Sequence, residues 1–226
     1  MSVPCLILAA GFGTRMGAMT ADRPKPLIEV AGRTLLDHAL DAARGTDPIT
    51  VNAHYRADQI AAHLAGRDVH LQLETPEILD SGGSVKRAVQ RWGEGPMATL
   101  NADNVWTGAP PIRQLEAAFD PARMGALLLL VPRADAVGRK GGGDFAMTPD
   151  GRIAFDKSAD TYVYVGAQIL DPAPCLNDPR EVFSLRDVWQ GYAEEGRLFG
   201  IVHEGRWADV GHPGGIEMAE EMLHVV

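Results

Sequence analysis

The stretch CLILAAGFGTRMGAMTADRPKPLIEV, residues 5–30, decides how the chain is read. Cys5-Leu6-Ile7-Leu8-Ala9 is an unbroken apolar run of strand length, the pattern of a strand buried on both faces. It breaks into Gly11-Phe12-Gly13-Thr14-Arg15-Met16-Gly17, and Pro24-Lys25-Pro26-Leu27 follows. Three readings compete for a glycine turn in that place: a dinucleotide-binding turn, a phosphate cradle for a nucleoside triphosphate, and an ordinary tight loop. The dinucleotide pattern fits poorly. Its third glycine comes one residue late, and Asn52-Ala53-His54 stands where an acidic residue would end the second strand. A Walker loop would need a lysine followed by Ser or Thr, and none closes these glycines.

The continuation favours phosphate. Glycines let backbone N–H groups approach phosphate oxygens, and Arg15 can hold them in bidentate fashion. Prolines on both sides of Lys25 predict a stiff extended segment from which the lysine projects, a framing that a solvated surface lysine does not need.

Outward from this motif, apolar periodicity predicts helices at Thr34–Arg44, Ala57–Leu64, Ser84–Trp92 and Ile112–Phe119. Strands are predicted at Ile49–Ala53, Val69–Leu73, Met97–Ala102 and Ala126–Val131. Strands alternating with helices imply an α/β, Rossmann-like three-layer arrangement around a mixed, mainly parallel sheet. Past residue 140 the rhythm changes to short strand-like pieces (GGGDFAM, RIAF, TYVYVGAQIL), with helices returning at Leu185–Glu195 and Ile216–Leu223. This predicts a small β lobe added to the sheet within one domain, residues 1–135 forming one half and 136–226 the other.

Composition bounds the function. The 226 residues are 46% hydrophobic and 23% charged, ordinary globular values, with a formal net charge of −9. That charge argues against general affinity for nucleic acid or an anionic membrane, so a polyanionic ligand would need local cations, amides or a metal. Two cysteines offer no disulfide framework, and seven scattered histidines show no zinc spacing. No apolar run approaches the roughly 20 residues of a membrane span, and no basic leader precedes the first strand. A cytoplasmic protein is expected.

The pattern L-A-A-G-x-G-T-R-M followed by P-K-P-L resembles the signature of the sugar-phosphate nucleotidyltransferases, which join a nucleoside triphosphate to a sugar 1-phosphate and release pyrophosphate. The resemblance runs along essentially the whole chain. It implies the nucleotide-diphospho-sugar transferase fold, with the nucleotide on the first half and the sugar on the second. Ala10, Gly11, Gly13, Thr14, Arg15 and Lys25 would bind the triphosphate, Lys25 at the α-phosphate and Arg15 at the phosphates that leave. Asp80 and Gly82, in ETPEILDSGGSV, lie where the family meets base and sugar. Gly82-Gly83 also suits a plain helix start. Asn101, Asp144, Lys157 and Gly166 would face the sugar phosphate. Asp144 competes with a hairpin-turn aspartate and Gly166 with a strand bulge.

Asp103, ending an apolar strand, and Asp209, in Trp207-Ala208-Asp209-Val210-Gly211, correspond to the family's two Mg²⁺ ligands. Read without the resemblance, Asp103 could cap a loop and Asp209 could serve a turn. Arg15, Lys25 and Asp103 would carry the chemistry. Catalysis would be positioning and charge neutralisation around an in-line displacement, with no general base.

Within the family, D-S-G-G-S, N-A-D-N-V-W and the GDF turn most resemble the N-acetylmuramate 1-phosphate uridylyltransferases of peptidoglycan recycling. UTP and N-acetylmuramate 1-phosphate are then the expected partners of a monomer or small homo-oligomer. Asp80-Ser81-Gly82-Gly83-Ser84, Ala102 and Arg23 depart from that subgroup's usual E-T-G-G-G, glycine and threonine. A mannose 1-phosphate guanylyltransferase is the nearest rival, and a non-catalytic nucleotide-sugar sensor a more distant one.

Overall fold

The computed structural model describes residues 2–158 and 161–224. Cys5–Leu8 forms the strand expected from the opening run and lies near the middle of a nine-stranded sheet. It pairs in parallel with Ile49–Ala53 on one side and Met97–Asn101 on the other, with Cys5 opposite Ile49 and Ala98. His70–Leu73 extends the parallel part beyond Ile49–Ala53.

The period-two alternation of a strand sends successive residues to opposite faces. Cys5 and Ile7 join one apolar cluster with Leu36, Ala39, Ile60, Leu64, Ile112 and Leu115. Leu6 joins another with Val85, Ala88, Val89, Leu185, Val188 and Tyr192. Helices Leu35–Ala42, Ala57–Leu64 and Pro111–Ala118 therefore cover one face, and Asp80–Trp92 and Leu185–Glu194 the other. A continuous apolar run is what such double burial requires.

The second half continues this sheet. Tyr162–Leu170 pairs antiparallel with both Met97–Asn101 and Ala126–Pro132, and Leu198–Val202 returns parallel to Ala126–Pro132. Phe145–Met147 and Ile153–Phe155 form a hairpin at the far edge. A three-stranded sheet of Asn104–Trp106, Trp207–Asp209 and Ala136–Val137 stands apart from the nine strands. The strand at Asn104–Trp106 and the short helix Ala173–Asn177 were not legible in the sequence, because neither carries a full period of apolar residues.

Two expectations need correction. The helix placed at Ser84–Trp92 starts at Asp80, so the D-S-G-G-S segment is its first turn and not a free loop. Lys25 does not sit on an extended segment: it opens a short 3-10 turn, Lys25–Leu27, after an extended Pro24. The turn closes through Leu27 N–H to the Pro24 carbonyl and Ile28 N–H to the Lys25 carbonyl, both 3.0 Å. Pro26 falls where a first-turn N–H would have no acceptor, so its missing donor costs nothing.

The thiols of Cys5 and Cys175 are buried and pushed up to about 12 by desolvation, which leaves both unreactive at neutral pH. Among the described residues no helix is long and apolar enough to cross a membrane.

Helix Leu35–Ala42 is anchored at its start. Thr34 Oγ accepts from Asp37 N–H, and the Asp37 carboxylate accepts from His63 and from Arg67 at 2.7 Å. Burial alone would raise the Asp37 pKa, but the bonds from Thr34, Arg67 and His63 outweigh it and hold the group down at about 2. Ionised Asp37 thus contributes stability that is complete above its unfolded value near 3.8 and lost as pH falls toward 2. Asp37→Ala is expected to lower unfolding free energy by roughly 1–2 kcal/mol at pH 7. In denaturant titrations the gap to the parent should close between pH 4 and pH 2.

Candidate active site

The site lies at the carboxyl ends of the central parallel strands, where open α/β sheets place their ligands. Cys5–Leu8 runs into the glycine turn, and Met97–Asn101 runs into Ala102-Asp103. Among the described residues the N–H groups of Gly11, Gly13 and Thr14 find no protein acceptor. The turn then tightens into 3-10 geometry over Thr14–Thr20, with Gly13 at φ 67° before it, and Met16 locks it into an apolar cluster.

Lys25 is 7% exposed, and its ammonium donates to Asp103 Oδ2 at 2.6 Å. A lysine buried in this way must be paired, because an isolated ammonium out of water is costly.

Asp209 reaches the same place from the other end of the chain. Strand Trp207–Asp209 pairs antiparallel with Asn104–Trp106, setting Asp209 opposite Asn104, and Val210 N–H donates to the Asp103 carbonyl at 2.9 Å. The Asp209 carboxyl is raised above the usual carboxylate range, first by burial and then by the Asp103 charge, against the opposing pull of Lys25, Arg15 and Arg139. A Cβ on Gly211 would lie 2.8 Å from Asp209 Oδ1 and 2.9 Å from an Arg15 terminal nitrogen, so the guanidinium and the carboxylate meet against this glycine.

Two adjoining cavities meet here. The first, about 240 Å³, is lined by the glycine turn with Arg15, Lys25, Asn101 and Asp103. The second, about 200 Å³, shares Arg15, Asn101 and Asp103 and continues past Asp209 to Arg139, Asp144, Tyr164, Arg186 and Trp189. Asp144 lines the second cavity but is engaged: it accepts from Arg139 at 2.7 Å and from Tyr164 N–H at 3.1 Å. Gly166 lies behind the wall at φ 78°, at an irregularity in the strand, and its Cβ would be 2.3 Å from the Asn104 side chain. It stands at the bulge, and its close approach is to Asn104 and Asn101 of the chain itself.

The remaining expected residues stand elsewhere or are already occupied. The Ala10 N–H donates to Asn52 Oδ1 at 3.2 Å, so this amide is not free for a phosphate. Asp80 is exposed and lines neither cavity, its carboxylate turned back on Ser81 N–H. Gly82 makes its close approach to the chain itself: its N–H donates to the Phe183 carbonyl at 2.9 Å, and a Cβ would meet the Phe183 ring at 2.4 Å. Lys157 is exposed beyond the edge strand Ile153–Phe155 and lines neither cavity.

Sequence reasoning missed Arg139, Arg186, Tyr164 and Trp189 as lining residues, although it placed the last three within its expected strand and helix of the second half. It also missed a buried polar network under the glycine turn. Asn52 Oδ1 accepts from the amides of Ala9 and Ala10, and its Nδ2 donates to Glu74 Oε1 at 2.8 Å. Glu74, 1% exposed, also accepts from Ser84 Oγ and, at 2.9 Å, from Leu79 N–H. An asparagine inside the otherwise apolar end of a strand was the available signal, since a buried amide needs partners.

Comparison with known proteins finds relatives along nearly the whole chain. A family model described as the MobA-like NTP transferase domain matches residues 5–139. The N-acetylmuramate alpha-1-phosphate uridylyltransferase of Caulobacter vibrioides is 37% identical, covering 96% of each chain. The protein of the same name from Neisseria meningitidis is 28% identical over 91% of this chain and 92% of its own. In structure, HddC of Yersinia pseudotuberculosis, crystallised with GMP-PN, covers 98% of this chain and 99% of its own with a TM-score of 0.79; at 22% identity this is a likeness of fold. With the family model spanning more than half of its residues and a relative of that identity along nearly all of it, the chain belongs to the MobA-like NTP transferase family.

Proposed function

We propose that the protein is a sugar-1-phosphate uridylyltransferase that condenses UTP with N-acetylmuramate 1-phosphate, giving UDP-N-acetylmuramate and pyrophosphate, in the cytoplasm. The observation that carries the reading is the corner where Lys25, Asp103, Asp209 and Arg15 converge between two cavities, one floored by free amides. The Caulobacter relative's name supplies base and sugar.

In this reading the triphosphate lies over the amides of Gly11, Gly13 and Thr14, with Arg15 on the departing phosphates. An oxygen of the sugar phosphate, already ionised at neutral pH, attacks the α-phosphorus. The bond from that phosphorus to the oxygen bridging toward the β-phosphate breaks, and pyrophosphate leaves. No proton has to move, so the chain's work is alignment and neutralisation. Lys25 fits this: its buried ammonium is aimed at the strand end by Asp103 and meets an α-phosphate without reorganising.

Asp103 and Asp209 suit Mg²⁺. They are hard oxygen donors, their like charges are pressed together, and among the described residues no third Asp, Glu, His or Cys completes a cluster with them. That donor set leaves room for phosphate oxygens and water, as Mg²⁺ prefers. When bound, the ion would supply positive charge to the phosphates.

Pyrophosphate release, measured with each NTP and a panel of sugar 1-phosphates in Mg²⁺, should be fastest for UTP with N-acetylmuramate 1-phosphate. A preference for GTP with mannose 1-phosphate would replace the proposed pair, and no turnover with any pair would leave a sensor. Lys25→Met should lower kcat/KM about 10²–10³-fold, the scale seen when one preorganised charge donor is lost. Asp209→Asn removes one of two crowded carboxylates. It should melt no lower than the parent in the absence of metal, and lose both turnover and the rise in Tm that MgCl2 gives the parent. A Mg²⁺-dependent rise equal to the parent's in this variant contradicts the assignment of Asp209.

A further inference from the structure

We propose that Arg186 determines sugar specificity by binding a carboxylate carried on the sugar itself. This rests on the uridylyltransferase reading and names the group in that site that distinguishes an acidic sugar from a neutral one. The argument begins with the cations on the wall of the second cavity. Arg139 is paired with Asp144, and Arg15 sits against Asp209 and Gly211 on the triphosphate side. Lys25 is held by Asp103. Arg186 lines the same cavity and, among the described residues, has no carboxylate or hydrogen-bond partner for its guanidinium.

Its position is nevertheless defined. Arg186 is the second residue of helix Leu185–Glu194, whose start is pinned by Leu185 N–H donating to Ser81 Oγ at 2.9 Å and by the Ser184 cap. The guanidinium carbon lies 4.4 Å from the centre of the Phe155 ring. A ring face orients a guanidinium while leaving its charge and its in-plane N–H groups unanswered. One turn along, Trp189 packs edge-on to Tyr164 at 5.0 Å and donates its indole N–H to Gln168 at 2.8 Å, which fixes an aromatic wall beside the cation.

An aromatic wall suits the apolar face of a pyranose, and an unanswered planar cation at its edge suits a carboxylate. A neutral sugar would leave that cation without a partner. N-acetylmuramate differs from N-acetylglucosamine by a lactyl ether whose carboxylate is ionised at neutral pH, and both form 1-phosphates. The pair therefore isolates the one charge at issue.

The test compares kcat/KM for N-acetylmuramate 1-phosphate and N-acetylglucosamine 1-phosphate, with saturating UTP, in the parent and in Arg186→Met. The acidic-to-neutral ratio should fall about 10- to 100-fold in the variant, the scale of one charge-assisted pair. Arg186→Lys, which keeps the charge without the planar fork, should retain part of the ratio. If the parent prefers the acidic sugar and Arg186→Met keeps that preference, the assignment of Arg186 is overturned and the function stands. A parent that does not prefer the acidic sugar overturns the proposed substrate, and this is seen before any variant is compared.

Discussion

Two carboxylates forced together at a strand end are the constraint around which the rest of the site is arranged. Asp103 and Asp209 meet because Trp207–Asp209 pairs with Asn104–Trp106 and because Val210 N–H bonds the Asp103 carbonyl. Like charges in a partly desolvated corner oppose folding. The chain answers with Lys25 on Asp103 and with Arg15 and Arg139 near Asp209. A neutral residue at Asp209 would relieve that opposition, whereas Asp103 answers the buried ammonium of Lys25. The tension is therefore better understood as the resting state of a site built for a positive ion and a polyphosphate than as a contribution to the fold.

Beneath that corner the strand end that enters the glycine turn is positioned by a buried polar network, in addition to the apolar packing of Met16. Asn52 holds the amides of Ala9 and Ala10, and Glu74 joins Asn52 to Ser84 and Leu79 at the start of helix Asp80–Trp92. Such a network is fully exposed to the low-dielectric penalty if any member is lost, and it fixes geometry more tightly than interchangeable hydrophobic contacts. It also explains why Ala10 offers no amide to a ligand while Gly11, Gly13 and Thr14 do. The amides before the turn belong to the scaffold, and those within it are left to solvent or phosphate.

The first half of the fold was legible because double burial demands continuous apolar strands and single-face helices, both visible as period. The site was legible wherever chemistry and backbone constraint coincide in a short segment, as in Gly11–Arg15, Pro24–Pro26 and Asp103. Legibility ended where the same residue type serves two purposes. Gly82 reads equally as a ligand contact or a helix-packing residue, and the Phe183 ring that decides between them is distant in sequence. The prolines around Lys25 suggested extension, yet Pro26 is as well suited to the first turn of a 3-10 segment. Arg139, Tyr164 and the helix pair Arg186 and Trp189 acquire meaning only once the fold brings three separate segments to one wall.

The acidic character of the chain poses a last question, since both proposed substrates are anions and the net charge is −9. Screening resolves it. At physiological ionic strength the field of an exposed charge decays over about 8 Å, so carboxylates on distant surfaces contribute little at the cleft. Within reach of the two cavities stand Arg15, Lys25, Arg139 and Arg186, with Lys140 beside Arg15 and Arg139 in an adjoining hollow. Their sign prevails locally once Asp103 and Asp209 are neutralised by a divalent ion. The overall negative charge then disfavours long polyanions, which must lie along surface beyond the cleft, while a single nucleotide or sugar phosphate fits inside it. An acidic protein with a cationic recess is thus selective among anions by size as well as by chemistry.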